Sequence, residues 1–202
     1  MRSFAERREL HDAFEKYVVR QLQSMGFELD ERTYHKHSQA SVAKRLRQMH
    51  NPTALFLRGK SDFAAIHHSL DLAFHVEIKT TQHREETMIE AIPLMHHVAL
   101  WRAFRIECIY VVLERSTNRS FGFWVREMPP PSKLVIPSMW EKFWQRDFYD
   151  AMAKQMFPNI TQKLLRRNPR CGSGTPFFML DCSTCDHWTI LVESRAEVAL
   201  SI

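Results

Sequence analysis

From Leu72 onward the chain alternates: Leu72, Phe74, Val76 and Ile78 are apolar, while Ala73, His75, Glu77 and Lys79 occupy the other parity. That is the pattern of a β-strand with one buried face, and it points Glu77 and Lys79 the same way. Residues 61–66 read as the preceding strand, with the turn falling around His68 to Asp71. A hairpin turning symmetrically between Ser69 and Leu70 sets Phe63 opposite Val76 and Ala65 opposite Phe74, so the apolar faces agree. The same register sets Asp62 opposite Glu77, and a β-bulge would shift it by one residue.

Other segments carry clear patterns. Residues 4–25 have Leu10, Phe14, Tyr17, Val18 and Leu22 at three- and four-residue spacing and end at Gly26, which predicts a helix. Phe27, Glu28 and Leu29 then begin an extended stretch. Residues 85–104 read as a second helix, distorted near Pro93, and residues 106–113 form a continuous apolar strand. Residues 120–126 follow a turn containing Asn118 and read as a further strand. The run Pro129, Pro130 and Pro131 marks a connector. Beyond it Trp140, Phe143, Trp144, Asp147 and Phe148 lie on helical spacing as an aromatic core stripe, and residues 177–180 and 188–192 look like two strands. The expected organisation is one α/β domain with its core in residues 1–128 and an extension, 129–202, packed on it.

The hairpin carries the candidate chemistry. Two carboxylates held close repel, so their juxtaposition implies a raised pKa, a cationic partner or a bound cation. Oxygen ligands from Asp62, Glu77 and the main-chain carbonyl of Ile78 suit Mg²⁺ or Mn²⁺, which keep several waters and accept a phosphate oxygen. Lys79 beside them would orient an attacking water or offset transition-state charge. Against this stands a blander reading, in which Glu77 and Lys79 are the solvated face of a strand and Asp62 pairs across it. Glu15, among apolar neighbours in the first helix, either reaches the Asp62 site or pairs on the helix surface with Lys16 or Arg20.

Charge narrows the partner. With 28 Lys and Arg against 23 Asp and Glu the net charge is +5, which favours an anionic partner. Lys44, Arg45, Arg47, Arg58 and Lys60 cluster just before Asp62, with residues 41–50 as a short basic helix, and form a candidate phosphate-gripping surface. Lys163, Arg166, Arg167 and Arg170 form a second basic cluster. No bilayer-length apolar run and no signal-peptide pattern is present, which leads to the expectation of a cytoplasmic, reducing environment and no membrane partner. His67, His68, His96 and His97 read as exposed polar residues, while the parity of His75 places it on the Glu77 face. Cys171, Cys182, Cys185 and His187 are poorly spaced for zinc, so reduced, partly buried cysteines are expected. A thioredoxin-like role for Cys182 and Cys185 would need the pair at a helix start after a strand, and the sequence Asp186, His187, Trp188 does not propose a helix.

Helix, strand, hairpin strand with Asp and Glu-x-Lys, helix, strand: in this order the chain resembles the PD-(D/E)xK nuclease superfamily. The resemblance is carried by Glu15 in HDAFEKYVVRQLQSMGFE, Asp62 in GKSDFAA, and Glu77 and Lys79 in FHVEIKTT. It departs at Ser61, where a proline would precede the aspartate. What it implies is a restriction endonuclease-like core, a mixed central sheet flanked by helices, acting as a Mg²⁺-dependent DNA endonuclease or exonuclease. Asp62 and Glu77 would bind metal, Lys79 would position water, and Glu15 would assist. Small basic members act on four-way junctions as dimers, so a homodimer is an arrangement open to this chain. A non-catalytic nucleic-acid-binding or assembly protein of the same fold is the alternative.

Overall fold

The hairpin forms in the expected register. In this structure, a computed structural model that describes residues 4–30, 61–141, 144, 149–165 and 175–201, strand β2 (Phe63–His67) runs antiparallel to β3 (Leu72–Thr81). Phe63 stands opposite Val76 and Ala65 opposite Phe74. One tight turn, His68–Leu70, joins them, and Asp71 adopts the left-handed conformation (φ 49°) that its short polar side chain tolerates. The ladder ends at Asp62, whose N–H donates to the carbonyl of Val76 (3.0 Å).

Helix α1 (Phe4–Ser24) stops where Gly26 takes φ 89°, and β1 (Glu28–Asp30) pairs with β2. After β3 come β4 (Thr87–Glu90), α2 (Ala91–Phe104), β5 (Cys108–Glu114) and β6 (Arg119–Trp124). The β5–β6 hairpin turns through Asn118 at φ 56°. A five-stranded sheet results, in the order β1-β2-β3-β5-β6, with β3 and β5 parallel and the other pairs antiparallel. Every residue of β5 is buried, as its unbroken apolar run requires of a strand covered on both faces. The segment from Lys133 onward adds β7 (Lys133–Pro137), α3 (Tyr149–Met156), β8 (Thr161–Leu165), β9 (Phe177–Leu180) and α4 (Trp188–Leu200). Its strands join β4 in a second sheet of order β4-β9-β7-β8. The chain is thus a mixed α/β fold with two mixed sheets and, among the described residues, four α-helices.

Two cores lie on opposite faces of the five-stranded sheet. Phe14, Val18 and Leu22 of α1, with Trp188 and Val192 of α4, cover Phe74, Val76, Ile78 and Ile109. Tyr110, Val112 and Phe123 face the other way, into a core shared with α2, α3 and the second sheet.

Two segments differ from the sequence reading. Residues 85–104 are not one helix: Thr87 and Ile89 are buried alternately in β4 because β9 pairs with it, a partner some ninety positions away that no local pattern reveals. Pro93 then lies in the first turn of α2, where its missing N–H has no intrahelical partner, so it opens the helix rather than distorting it. Residues 188–192 are helical, not extended. Their β-branched content suggests a strand, but Trp188 and Val192, four apart, are the residues buried on the sheet, and tertiary packing overrides the local preference. Trp144 is fully buried and stacks on Tyr149 at 5.4 Å, as a core position would. The basic segment holding Lys44, Arg45, Arg47, Arg58 and Lys60 lies outside the described residues, as do Arg166, Arg167, Arg170 and Cys171.

Candidate active site

The site is built on the face of β3 that looks away from α1. Strand alternation sends Glu77 and Lys79 to that side, and their side chains meet there, Lys79 Nζ lying 2.7 Å from Glu77 Oε1. Asp62 reaches the same place from the adjoining strand end. Its Oδ2 accepts a hydrogen bond from the Ile78 N–H at 2.7 Å, so its carboxylate sits beside the main chain between Glu77 and Lys79. Within one strand residue, N–H and C=O point to the same side. The Ile78 carbonyl therefore also points toward the Asp62 side, past the end of the β2 ladder. Ser61, in the position where the PD-(D/E)xK pattern has proline, fixes this turn by other means. Its buried hydroxyl lies 2.6 Å from His75 Nδ1 and 3.2 Å from the carbonyl of Phe63.

Burial sets the electrostatics. Removal from water pushes the Glu77 carboxyl up to about 8; Lys79 pulls against that shift, while Asp62 and Glu90 add to it. Burial pulls the Lys79 ammonium down, but the carboxylates of Glu77, Glu90 and Asp62 outweigh it and hold the ammonium charged. Glu77 Oε2 is buried with no hydrogen-bond partner, an acceptor aimed at nothing. The Lys79 side chain keeps 23% of its surface exposed and Glu90 37%, so the site opens to solvent on their side.

Some of these residues were not singled out by the sequence. Glu90, 3.9 Å from Lys79 Nζ, ends β4 and was hidden within a segment that reads as helix. Tyr110 stands opposite Glu77 on β5, and its hydroxyl lies 2.9 Å from Nδ1 of His97. Burial, with Glu77 second, raises the Tyr110 phenol well above its ordinary range. His97 is therefore a core histidine rather than an exposed one, at 1% exposure. His96 is also drawn inward, and burial together with His75 lowers it to about 4. The alternation of α2 gave no warning, because apolar residues surround both histidines on every face.

Glu15 is half-buried on α1, next to Phe14 of the stripe that packs on the sheet, and the charges that weigh most on Glu77 are Lys79, Asp62 and Glu90.

The donor set suits a hard divalent cation. Among the described residues no three carboxylate, imidazole or thiol groups already converge at ligand spacing. Mg²⁺ does not require three, since it keeps several waters and takes one or two protein carboxylates. Asp62, the orphaned oxygen of Glu77 and the Ile78 carbonyl meet that demand in kind. At the other end of the fold, both ring nitrogens of His187 are engaged by hydroxyls, Nε2 with Ser120 and Nδ1 with Thr189, each at 2.8 Å. Among the described residues no helix is long and apolar enough to cross a membrane.

No family model matches the chain, and no curated protein sequence does. Among solved structures, it is similar to a Holliday junction resolvase, Hjc, of the hyperthermophilic archaeon Archaeoglobus fulgidus, with a TM-score of 0.37 and 15% identity over 57% of this chain and 73% of that one. The element order of helix, strand, hairpin, Glu-x-Lys strand, helix and strand follows the expected one, with the short strand β4 inserted before the helix.

Proposed function

We propose that this chain is a divalent-metal-dependent nuclease that hydrolyses DNA phosphodiester bonds at Asp62, Glu77 and Lys79. The observation that carries the reading is the convergence at Ile78. Asp62 hydrogen-bonds to its N–H, while the neighbours on either side are a buried carboxyl with an unmatched oxygen and a lysine held charged. A structural ion pair has no need of a second carboxylate placed to raise the pKa of the first.

Asp62, Glu77 and the Ile78 carbonyl would hold Mg²⁺ or Mn²⁺, which when bound polarises a phosphoryl oxygen and acidifies water. The chain's own groups do the rest. Lys79, 23% exposed beside Glu77, would donate to the attacking water or to the charged phosphoryl oxygens. Glu90 supports Lys79 from the solvent side, and Glu15 would assist with a second metal or with water orientation. Lys44, Arg45, Arg47, Arg58 and Lys60 would grip the DNA backbone.

The test is incubation of purified protein with linear, nicked, single-stranded and four-way-junction DNA in Mg²⁺, Mn²⁺ or chelator. Metal-dependent cleavage that disappears in Glu77→Ala is expected, and wild-type cleavage by that variant would overturn the assignment. One observation favours a second reading, a non-catalytic DNA-binding protein: Glu77 and Lys79 satisfy each other at 2.7 Å. On that reading the same assay gives retention of DNA without cleavage in any metal.

A further inference from the structure

Far along the chain from the candidate active site, Cys182 and Cys185 close a turn. The N–H of Cys185 donates to the carbonyl of Cys182 at 3.1 Å, which brings the two α-carbons within the span of a β-turn and hence within disulfide reach. The two thiols act on one another electrostatically, that of Cys185 raising Cys182 and that of Cys182 lowering Cys185. Cys182 is fully buried, while Cys185 is partly exposed. The order of elements is strand β9, the Cys-x-x-Cys turn, then helix α4 from Trp188. A helix thus follows the pair, opening three residues beyond Cys185, where the sequence reading proposed none.

Cys185 lines a cavity of about 730 Å³ together with Tyr17, Arg84, Arg119, Asp186 and His187. Two guanidinium groups against one carboxylate give it a positive balance. Arg84 is fixed there, donating through Nη2 to the Cys185 carbonyl and stacking 4.6 Å over Phe121, while its own carbonyl accepts from the Cys182 N–H.

We propose that Cys182 and Cys185 form a thiol–disulfide exchange site that takes anionic low-molecular-weight disulfides through this cavity. Cys185 acts first: its thiolate attacks one sulfur of R–S–S–R, forms a mixed disulfide and expels RS⁻, which takes up a proton. Cys182 then loses its proton and attacks the Cys185 sulfur, closing the Cys182–Cys185 disulfide and expelling the second RS⁻. Two protein thiols are oxidised, and one disulfide is reduced to two thiols. The division of roles agrees with the environment. The neighbouring Cys182, aided by Arg84, lowers the Cys185 thiol against burial, Asp186 and Asp181, whereas Cys185 and burial raise Cys182.

The test uses the reduced protein carrying Cys171→Ser, exposed to glutathione disulfide or to cystamine, a cationic disulfide. Peptide mapping is expected to find the Cys182–Cys185 bridge, formed about ten-fold faster with the anionic reagent, with the ratio reduced in Arg119→Gln. Cys182→Ser should accumulate the mixed disulfide on Cys185. If that variant does not fold, the reagent ratio in the protein with both thiols decides. Equal rates with the two reagents, no bridge, or a tightly held zinc that shields both thiols would overturn the proposal.

Discussion

The two faces of β3 are almost equally dry and chemically opposite. Phe74 is 2% exposed on one side and Glu77 is 4% exposed on the other. On the first face burial is the driving force, each large apolar side chain contributing about 1.5–3 kcal/mol. On the second, the same burial works against the residue, leaving an acid pushed up to about 8 and an acceptor without a donor. The contrast teaches that depth alone does not mark a structural residue. A carboxyl kept where it costs stability, beside a second carboxylate and a charged lysine, is the observation on which the proposed metal site rests.

The sharpest way to break the contrast is to remove the carboxylates. Asp62→Ala and Glu77→Ala should abolish DNA cleavage and weaken Mg²⁺ or Mn²⁺ binding, read by single-turnover assay and calorimetric titration, while leaving the fold intact. Phe74→Ala should do the reverse. It should lower stability by about 3–5 kcal/mol in urea unfolding, with cleavage by the remaining folded protein unchanged. Lys79→Ala should retain metal yet raise the cleavage barrier by about 2–4 kcal/mol, since an ammonium is no ligand but does stabilise charge in the transition state.

Protonation sharpens the comparison further. Because Glu77 binds its proton more tightly folded than unfolded, its contribution to stability is fully present below pH 4.5 and is lost as pH rises toward about 8. The unfolding midpoint should decline across that window, and Glu77→Gln should flatten the decline; an unchanged slope would mean Glu77 does not titrate there. The smallest expected effect belongs to the basic segment. Neutralising Lys44, Arg45 and Arg47 should lower the salt slope of DNA binding by about one for every phosphate that these side chains no longer neutralise.

Legibility in the sequence followed the range of the interactions involved. The β2–β3 register was readable because a tight turn and two agreeing apolar faces define it within twenty residues, and with it came Asp62, Glu77 and Lys79. Glu90 was not readable, because its strand exists only by pairing with β9. Trp188 was misread for a related reason: its helix is selected by the sheet beneath it. Gly122 shows how close that approach is, since a Cβ there would come within 2.8 Å of the Trp188 Cβ. His97 looked polar and exposed, and only its bond to Tyr110 reveals why a histidine can be buried there.

The way β4 and α4 are assembled also bears on how the protein is made. Synthesis delivers β3 with Glu77 and Lys79 early, but the strand that pairs with β4, and so places Glu90, appears only at Phe177, and the helix that seals the back of the sheet only at Trp188. A nascent chain holding all of Asp62, Glu77 and Lys79 thus still has a sheet face covered by α1 but not yet by α4, and β4 without its partner. A chain truncated before residue 177 would therefore carry Asp62, Glu77 and Lys79 yet lack the strand that places Glu90 beside them.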